Sequence, residues 1–113
     1  MGRSDTPGTL EHMVLLAIAG RTGDAQARDV YEILVEATGH DASVAAIHIT
    51  LARMAEKGWV DVRSMAPEPG RGGKPRRWYR LSKAGADLLS GLRLGMDRLW
   101  REARAHPLVG GAE

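Results

Sequence analysis

A run of prolines and glycines limits the fold most strongly, and it lies about two thirds of the way along this chain. Residues 66–76 read APEPGRGGKPR, and no helix can pass through such a run because of its prolines. Residues 59–63 before it alternate between apolar and polar side chains, which is typical of a strand. Residues 77–81 after it form a second short strand. The pattern predicts a β-hairpin whose connecting loop is longer than a tight turn.

Three helices are predicted upstream of the hairpin, over residues 9–19, 25–38 and from Ser43 or Asp41 to 57. Thr9 is the expected N-cap of the first, and a glycine follows each helix. The first helix is apolar nearly all round and should be buried on more than one side. The third has its core stripe at Val44, Ile47, Leu51 and Met54.

A long last helix is predicted from the cap Ser82 to about Arg104, ahead of Pro107. The helix carries apolar residues spaced 3, 4, 3, 4, which is the seam of a helix that packs on a partner helix. These residues are Leu89, Leu92, Met96, Leu99 and Ala103. The expected organisation is a tail (1–8), a compact domain (9–81), the long helix (82–105) and a second tail (106–113). A chain of 113 residues buries only a modest core, so a second subunit would add to it.

Charge is divided unevenly, although the formal net charge is only +2. Residues 1–42 carry three arginines against seven acidic residues, whereas residues 63–80 carry six basic residues against Glu68. A mobile basic hairpin that also holds Trp78 and Tyr79 suits a polyanion, since neutralised phosphates release counterions. The alternative is a loop that only aids solubility.

Several classes of function are disfavoured by what the sequence lacks. Without cysteine there are no disulfides and no sulfur-ligated zinc sites. No two of the four histidines are spaced for a metal site on a helix, and no nucleophile–base set or phosphate loop appears. The longest apolar run, residues 13–19, is far shorter than the roughly 20 residues of a membrane span. We expect no enzyme, no cofactor, no metal and no membrane insertion, and a cytoplasmic location.

The order of three helices, strand, basic loop and strand is that of a winged helix-turn-helix. The sequence resembles the PadR-like transcriptional regulators in three segments between residues 9 and about 90. They are the opening helix at 9–18, a recognition helix at 46–60, and the wing with the start of the last helix at 71–85. The third segment, RGGKPRRWYRLSKAG, is the most specific. Two positions depart from the family pattern: His48 replaces a usual Tyr, and Gln26-Ala27 replaces a frequent Tyr-Gly.

This resemblance implies a mainly α fold with a small hairpin, a DNA-binding domain at 9–81, and a dimerisation helix at 82–105. The third helix would enter the major groove of double-stranded DNA. Arg53 is the predicted centre of its outward face, and apolar residues there can contact thymine methyls. His48 either bonds a phosphate or packs against the second helix, and Tyr79 either bonds a phosphate or packs within the hairpin. The predicted DNA-binding residues are Ser43, Ala46, His48, Ile49, Thr50, Arg53, Arg71, Lys74, Arg76, Arg77 and Tyr79. Strand alternation lets only one of Arg76 and Arg77 face the DNA.

A homodimer is also implied, with the last helix packed on a second subunit and its first helix. The predicted interface is Met13, Leu89, Leu92, Met96, Leu99, Trp100 and Ala103. Trp100 is read first as an interface anchor. With Met13 and Met96 it can also wall a pocket for a small planar effector, as in some PadR-like regulators. The predicted function is a homodimeric repressor. The alternatives are a winged-helix module that binds proteins, or a ligand sensor without strong DNA binding.

Overall fold

The computed structural model describes residues 6–21, 23–39, 41–65 and 76–110. The elements follow in the order α1 (Thr9–Ala19), α2 (Ala27–Thr38), α3 (Val44–Glu56), β1 (Val60–Met65), β2 (Arg76–Leu81), α4 (Lys83–Ala103) and α5 (Pro107–Gly110). The predicted class, mainly helical with one hairpin and a long C-terminal helix, is confirmed. Among the described residues, no helix has both the length and the apolar character to cross a membrane.

Each of the first three helices begins where a polar side chain accepts a hydrogen bond from a backbone N–H that would otherwise lack a partner. Gly8, and not the predicted Thr9, is the N-cap of α1, and its N–H donates to Glu11 Oε1 at 3.0 Å. The Gln26 N–H donates to Asp29 Oδ2 at 2.9 Å, so α2 begins at Ala27, two residues later than predicted. Of the two predicted caps of α3, Ser43 is the one in the structure, and its hydroxyl accepts the Ala46 N–H at 3.0 Å.

Two of the predicted helix ends depend on glycine conformation. Gly39 follows α2 with φ 72°, and Gly58 follows α3 with φ 81°. These are left-handed backbone angles, which side chains disfavour and glycine adopts freely. The chain therefore turns sharply after each helix, and the second turn leads directly into the hairpin.

One hydrophobic core joins α1, α2, α3 and the base of the hairpin. The predicted core stripe of α3 is buried except for Val44, which is half-buried. Trp59 and Val60 both lie in the core. The first strand begins at Val60, one residue later than predicted, and it extends to Met65. The largest fully buried side chains are Tyr79, Leu15, Ile18, Ile47, Leu51, Met54, Val14 and Val30.

The hairpin is antiparallel, with Val60 opposite Leu81 and Val62 opposite Tyr79. A third backbone segment joins its base: the Ala25 N–H donates to the Tyr79 carbonyl at 2.9 Å, and the Tyr79 N–H donates to the Ala25 carbonyl at 2.7 Å. Ala25 had been assigned to the second helix. It is instead an extended residue that ties the α1–α2 connection to β2, and so fixes the hairpin against the helices.

The long helix α4 begins at the Ser82 cap, whose hydroxyl accepts the Gly85 N–H at 3.0 Å. Its first turns pack on the core through Leu88 and Leu89, while most of its second half is exposed. The molecule measures 61 × 35 × 24 Å because this helix projects beyond the domain. Residues 107–110, predicted to lie in a tail, form the short helix α5.

Candidate nucleic-acid interface

The outward face of α3 is rotated relative to the predicted one. Thr50, predicted to face the DNA, is 5% exposed, and Ala46 is half-buried. Because α3 packs against both α1 and α2, its buried arc is wider than a single stripe and includes Thr50. The exposed line instead runs through Ala45, Ile49 and Ala52, and we call these three residues the methyl ridge.

A groove of about 720 Å³ lies beside α3, between the start of α2 and the far end of the hairpin. His48 lines it, so its side chain is exposed and is not part of the core. The arginine charges here favour an anion, while the Asp29 carboxylate at the start of α2 offsets part of the positive end of the helix dipole. The groove, called here the basic groove, is lined by Gln26, Ala27, Arg28, Val44, His48, Ser64, Arg76 and Arg77.

Arg76 and Arg77 both line the basic groove, although they point to opposite faces of the strand. Arg77 pairs with Ser64 across the sheet, and Arg76 pairs with Met65. Tyr79 shares the Arg77 face but is only 1% exposed and packs in the core. The prediction that Tyr79 reaches DNA is therefore wrong, because the Ala25 bridge and the helices cover that part of the strand.

Arg53 lies on the other flank of α3, beside a carboxylate that the sequence did not reveal. Its Nη1 is 3.8 Å from Glu11 Oε2, and Lys57 Nζ is 3.5 Å from the same oxygen. Glu11 is only 8% exposed, whereas the Arg53 side chain is 56% exposed. The Lys57 ammonium also lies 4.6 Å from the centroid of the Trp59 ring.

Asp24, in the connection between α1 and α2, holds both strands of the hairpin. Its carboxylate accepts from Arg63 Nη2 at 2.6 Å and from Arg80 Nε at 3.0 Å. We call these three residues the Asp24 clamp. Sequence reasoning missed it because the partners lie 39 and 56 residues away. The only hint was the excess of arginines in the hairpin, for which the sequence predicts a role in binding a polyanion or in solubility.

The predicted contacts at the hairpin tip, Arg71 and Lys74, lie outside the described residues. Ser43 is exposed at the start of α3, where its hydroxyl oxygen already accepts the capping bond. Of the predicted DNA-binding residues, the structure leaves Ser43, His48, Ile49, Arg53, Arg76 and Arg77 exposed around α3 and the hairpin.

Solved structures share this arrangement of helices and hairpin. A PadR-like transcription factor from Bacteroides fragilis superposes with a TM-score of 0.70, covering 85% of this chain and 87% of its own, at 23% identity. No protein-family model and no curated protein matches the sequence. The chain has the PadR-like winged-helix fold. The sequence-based resemblance is confirmed at the level of the fold, and the β1–β2 hairpin is the wing.

Two further structures with this fold are described in relation to DNA. Bacillus subtilis PadR, in complex with operator DNA, matches with a TM-score of 0.62 at 18% identity, covering 75% of this chain and 47% of its own. Bordetella bronchiseptica BpsR, whose DNA binding is regulated by 6-hydroxynicotinic acid, matches with a TM-score of 0.63 at 18% identity. That match covers 86% of this chain and 64% of BpsR.

Within the PadR-like fold, the seam predicted on α4 divides into two parts. Leu89 packs against the core of its own chain, as does Met13 from α1. Leu92 is half-buried, whereas Leu99 is 62% and Trp100 is 55% exposed. Met96 and Ala103 are also exposed. Met96 and Trp100 are therefore open to solvent in one chain, whereas Met13, the third predicted effector-pocket residue, is half-buried.

Proposed function

We propose that the chain is a PadR-family transcriptional regulator that binds double-stranded DNA through α3 and the wing. The observation that carries this proposal is the position of the methyl ridge beside the basic groove. A helix-turn-helix protein places such an exposed helix in the major groove. The arginines and the α2 N-terminus then lie where the phosphate backbone borders that groove. Action on chromosomal DNA would place the protein in the cytoplasm.

Within this proposal, the basic groove supplies most of the affinity for the phosphate backbone of DNA. Arg28, Arg76 and Arg77 supply charge from α2 and the wing, and His48 offers a hydrogen bond from α3. Arg53 contributes from the opposite flank of α3, where it is partly balanced by Glu11. Ser43, Arg71 and Lys74 remain proposed contacts. Backbone contacts of this kind set register and salt dependence, and they leave the choice of sequence to α3.

The proposed active form is a homodimer joined along α4. The exposed apolar side chains of Met96, Leu99 and Trp100 support it, because a partner helix would remove them from water. Two copies of α3 would then enter major grooves about one helical turn apart. A dimer seated over a promoter blocks polymerase, so repression is the proposed outcome. A reporter driven by a selected site should therefore rise when the protein is absent.

DNA binding is tested by fluorescence anisotropy with duplex DNA at several salt concentrations. The logarithm of affinity should fall linearly with the logarithm of salt, with a slope near −0.9 per neutralised phosphate. Arg76→Ala combined with Arg77→Ala should reduce that slope by about one for each lost contact. The matched control, Arg101→Ala with Arg104→Ala at exposed positions near the end of α4, should leave it nearly unchanged. No binding at low salt would reject the proposal and favour a protein-interaction module.

A small planar effector is proposed at the α4 interface, because Met96 and Trp100 are exposed there and Met13 of a second chain can complete the wall. BpsR shows that a protein with this fold can be regulated by such a compound. Titration with planar aromatic acids should quench tryptophan fluorescence, and Trp100→Ala should abolish that quenching while Trp59 and Trp78 still emit. Quenching that survives in Trp100→Ala would place any effector elsewhere.

A further inference from the structure

The central line of the exposed face of α3 offers methyl groups, while the exposed polar residues His48, Arg53 and Glu56 lie beside that line or at its end. Ala45, Ile49 and Ala52 are spaced i, i+4, i+7 and so form one line along the helix. Ile49 is the prominent member, with 60% of its surface exposed. At 1.5 Å per residue the ridge is about 10 Å long, which matches three base-pair steps of 3.4 Å. Glu56, one turn further along, is the polar residue that continues this line.

Cationic or hydrogen-bonding groups border the methyl ridge on both sides. A turn of 100° per residue places His48 on one flank of the ridge and Arg53 on the other. His48 opens onto the basic groove with its arginines, and Arg53 lies next to Lys57. This arrangement complements a major groove, whose floor carries base edges and whose rims carry phosphates. The apolar group on that floor is the 5-methyl of thymine.

We propose that Ile49 is a specificity-determining residue that reads thymine 5-methyl groups, with Ala45 and Ala52 completing the contact. This inference rests on the proposed function, in which α3 lies in the major groove. The ridge has no donor or acceptor of its own with which to tell guanine from adenine. Burying one methyl group against the ridge should contribute about the transfer free energy of one CH₂ group. That free energy corresponds to a roughly fourfold gain in affinity.

The test removes single methyl groups from the DNA and leaves base pairing intact. Random duplexes are selected on the purified full-length protein, and the preferred duplex is resynthesised with deoxyuridine replacing each thymine in turn. At one to three positions per half-site, deoxyuridine should weaken binding about fourfold. A second pair of duplexes replaces each contacted T·A pair by C·G, without and with a 5-methyl group on the cytosine. The methylated duplex should bind more tightly than the unmethylated one, since the methyl returns at the same place.

The matching protein variant is Ile49→Ala, whose exposed side chain should leave the thermal midpoint of unfolding unchanged. In this variant the ratio of affinities for thymine and deoxyuridine should fall towards one at the contacted position. Val35→Ala, which trims an exposed apolar residue of α2, should retain the full ratio. If the preference for thymine over deoxyuridine is lost in Ile49→Ala and kept in Val35→Ala, it arises from a direct contact and not from an altered DNA shape.

Three results would contradict the inference or its basis in distinguishable ways. Equal affinity for thymine and deoxyuridine duplexes, with selective binding retained, would overturn methyl reading and leave the regulator proposal standing. A deoxyuridine effect of the same size in Ile49→Ala would also overturn it, because the methyls would then act through DNA shape. A failure to bind any duplex at low salt would reject the proposed function itself.

Discussion

At the scale of single residues, Glu11 has the most informative environment. Its carboxylate caps α1 through one oxygen and faces two cations of α3 through the other, at 3.5 and 3.8 Å. These distances indicate charge attraction more than hydrogen bonding. The side chain therefore links the start of α1 to the end of α3, and it partly neutralises Arg53 on the flank of the methyl ridge.

Glu11→Gln should lower the free energy of unfolding by about 0.5–1 kcal/mol. The amide oxygen keeps the cap to Gly8, while the attraction to Arg53 and Lys57 is lost. Urea denaturation measures the change, which should shrink in concentrated salt. Glu56→Gln is the matched control, since it removes an exposed charge from α3 itself and should alter stability little. Equal effects of the two substitutions would show that the ion pairs contribute nothing.

Other residues show where single-residue predictions hold and where they fail. Ser43 caps α3 as expected, because a capping residue and the amide it serves are three positions apart. The sequence predicts Thr50 on an exposed face and leaves Tyr79 between a phosphate contact and packing, and the structure buries both side chains. Both side chains carry a hydroxyl group, which favours an exposed position. Whether they are buried depends on which other elements pack against α3 and β2, and the spacing of residues along the chain does not show this.

At the scale of secondary-structure elements, the wing is held by contacts that a hairpin alone does not have. Asp24 binds one arginine from each strand, and the adjacent Ala25 pairs with Tyr79. A two-stranded hairpin is at best marginally stable in isolation. The orientation of the wing relative to α3, and so the shape of the basic groove, therefore depends on the α1–α2 connection.

Asp24→Asn should destabilise the protein by about 1–2 kcal/mol, because two charge-assisted hydrogen bonds are weakened in a side chain that is only 14% exposed. Hydrogen exchange should quicken most at the Tyr79 amide, which bonds the Ala25 carbonyl. Asp87→Asn breaks an exposed pair with Lys83 and should change stability by less than about 0.5 kcal/mol. Unaltered exchange at Tyr79 in Asp24→Asn would contradict this role.

Glycines on α4 differ sharply in what surrounds them. A Cβ on Gly85 would overlap the Trp59 carbonyl oxygen, since the first turn of α4 packs against the backbone that enters β1. A Cβ on Gly91 would meet nothing within 4 Å. The glycine at the end of the third PadR-like segment is thus required for close packing, and Gly91 is not required for the fold of one chain.

Gly85→Ala should reduce the free energy of unfolding by about 1–3 kcal/mol through steric overlap. Gly91→Ala makes the same change on the same helix and should raise it by up to about 1 kcal/mol, because alanine is the better helix former. Thermal or urea unfolding of both variants shows whether each substitution lowers or raises the free energy of unfolding. Stabilisation by Gly85→Ala would mean that α4 does not approach Trp59 as closely as described.

At the scale of the whole molecule, the elongated shape is the main observation. The radius of gyration is 16.7 Å, against about 13 Å for a compact chain of this length. The excess comes from α4, which is about 31 Å long and packs on its own chain mainly through its first turns. Such a helix gains stability from a second copy, and the net charge of +2 does not oppose that association strongly.

Leu99→Lys should convert the proposed dimer into a monomer in sedimentation equilibrium, because it places a charge in the apolar seam. It should also weaken binding to a two-half-site duplex much more than to a single half-site. Leu94→Lys is the matched control: Leu94 is 75% exposed but lies on the opposite face of α4 and should leave the dimer intact. A dimer that persists in Leu99→Lys would refute the seam.

Taken by itself, the sequence determined the order of the four main helices and the two described strands, the Ser82 cap, and the uneven charge. Each of these depends on residues within a few positions of one another, where breakers, caps and periodicity act. The tertiary structure decided the outward face of α3, the burial of Thr50 and Tyr79, the Asp24 clamp and the need for Gly85. These depend on groups brought together from distant parts of the chain, where packing and not local pattern determines which side chains meet.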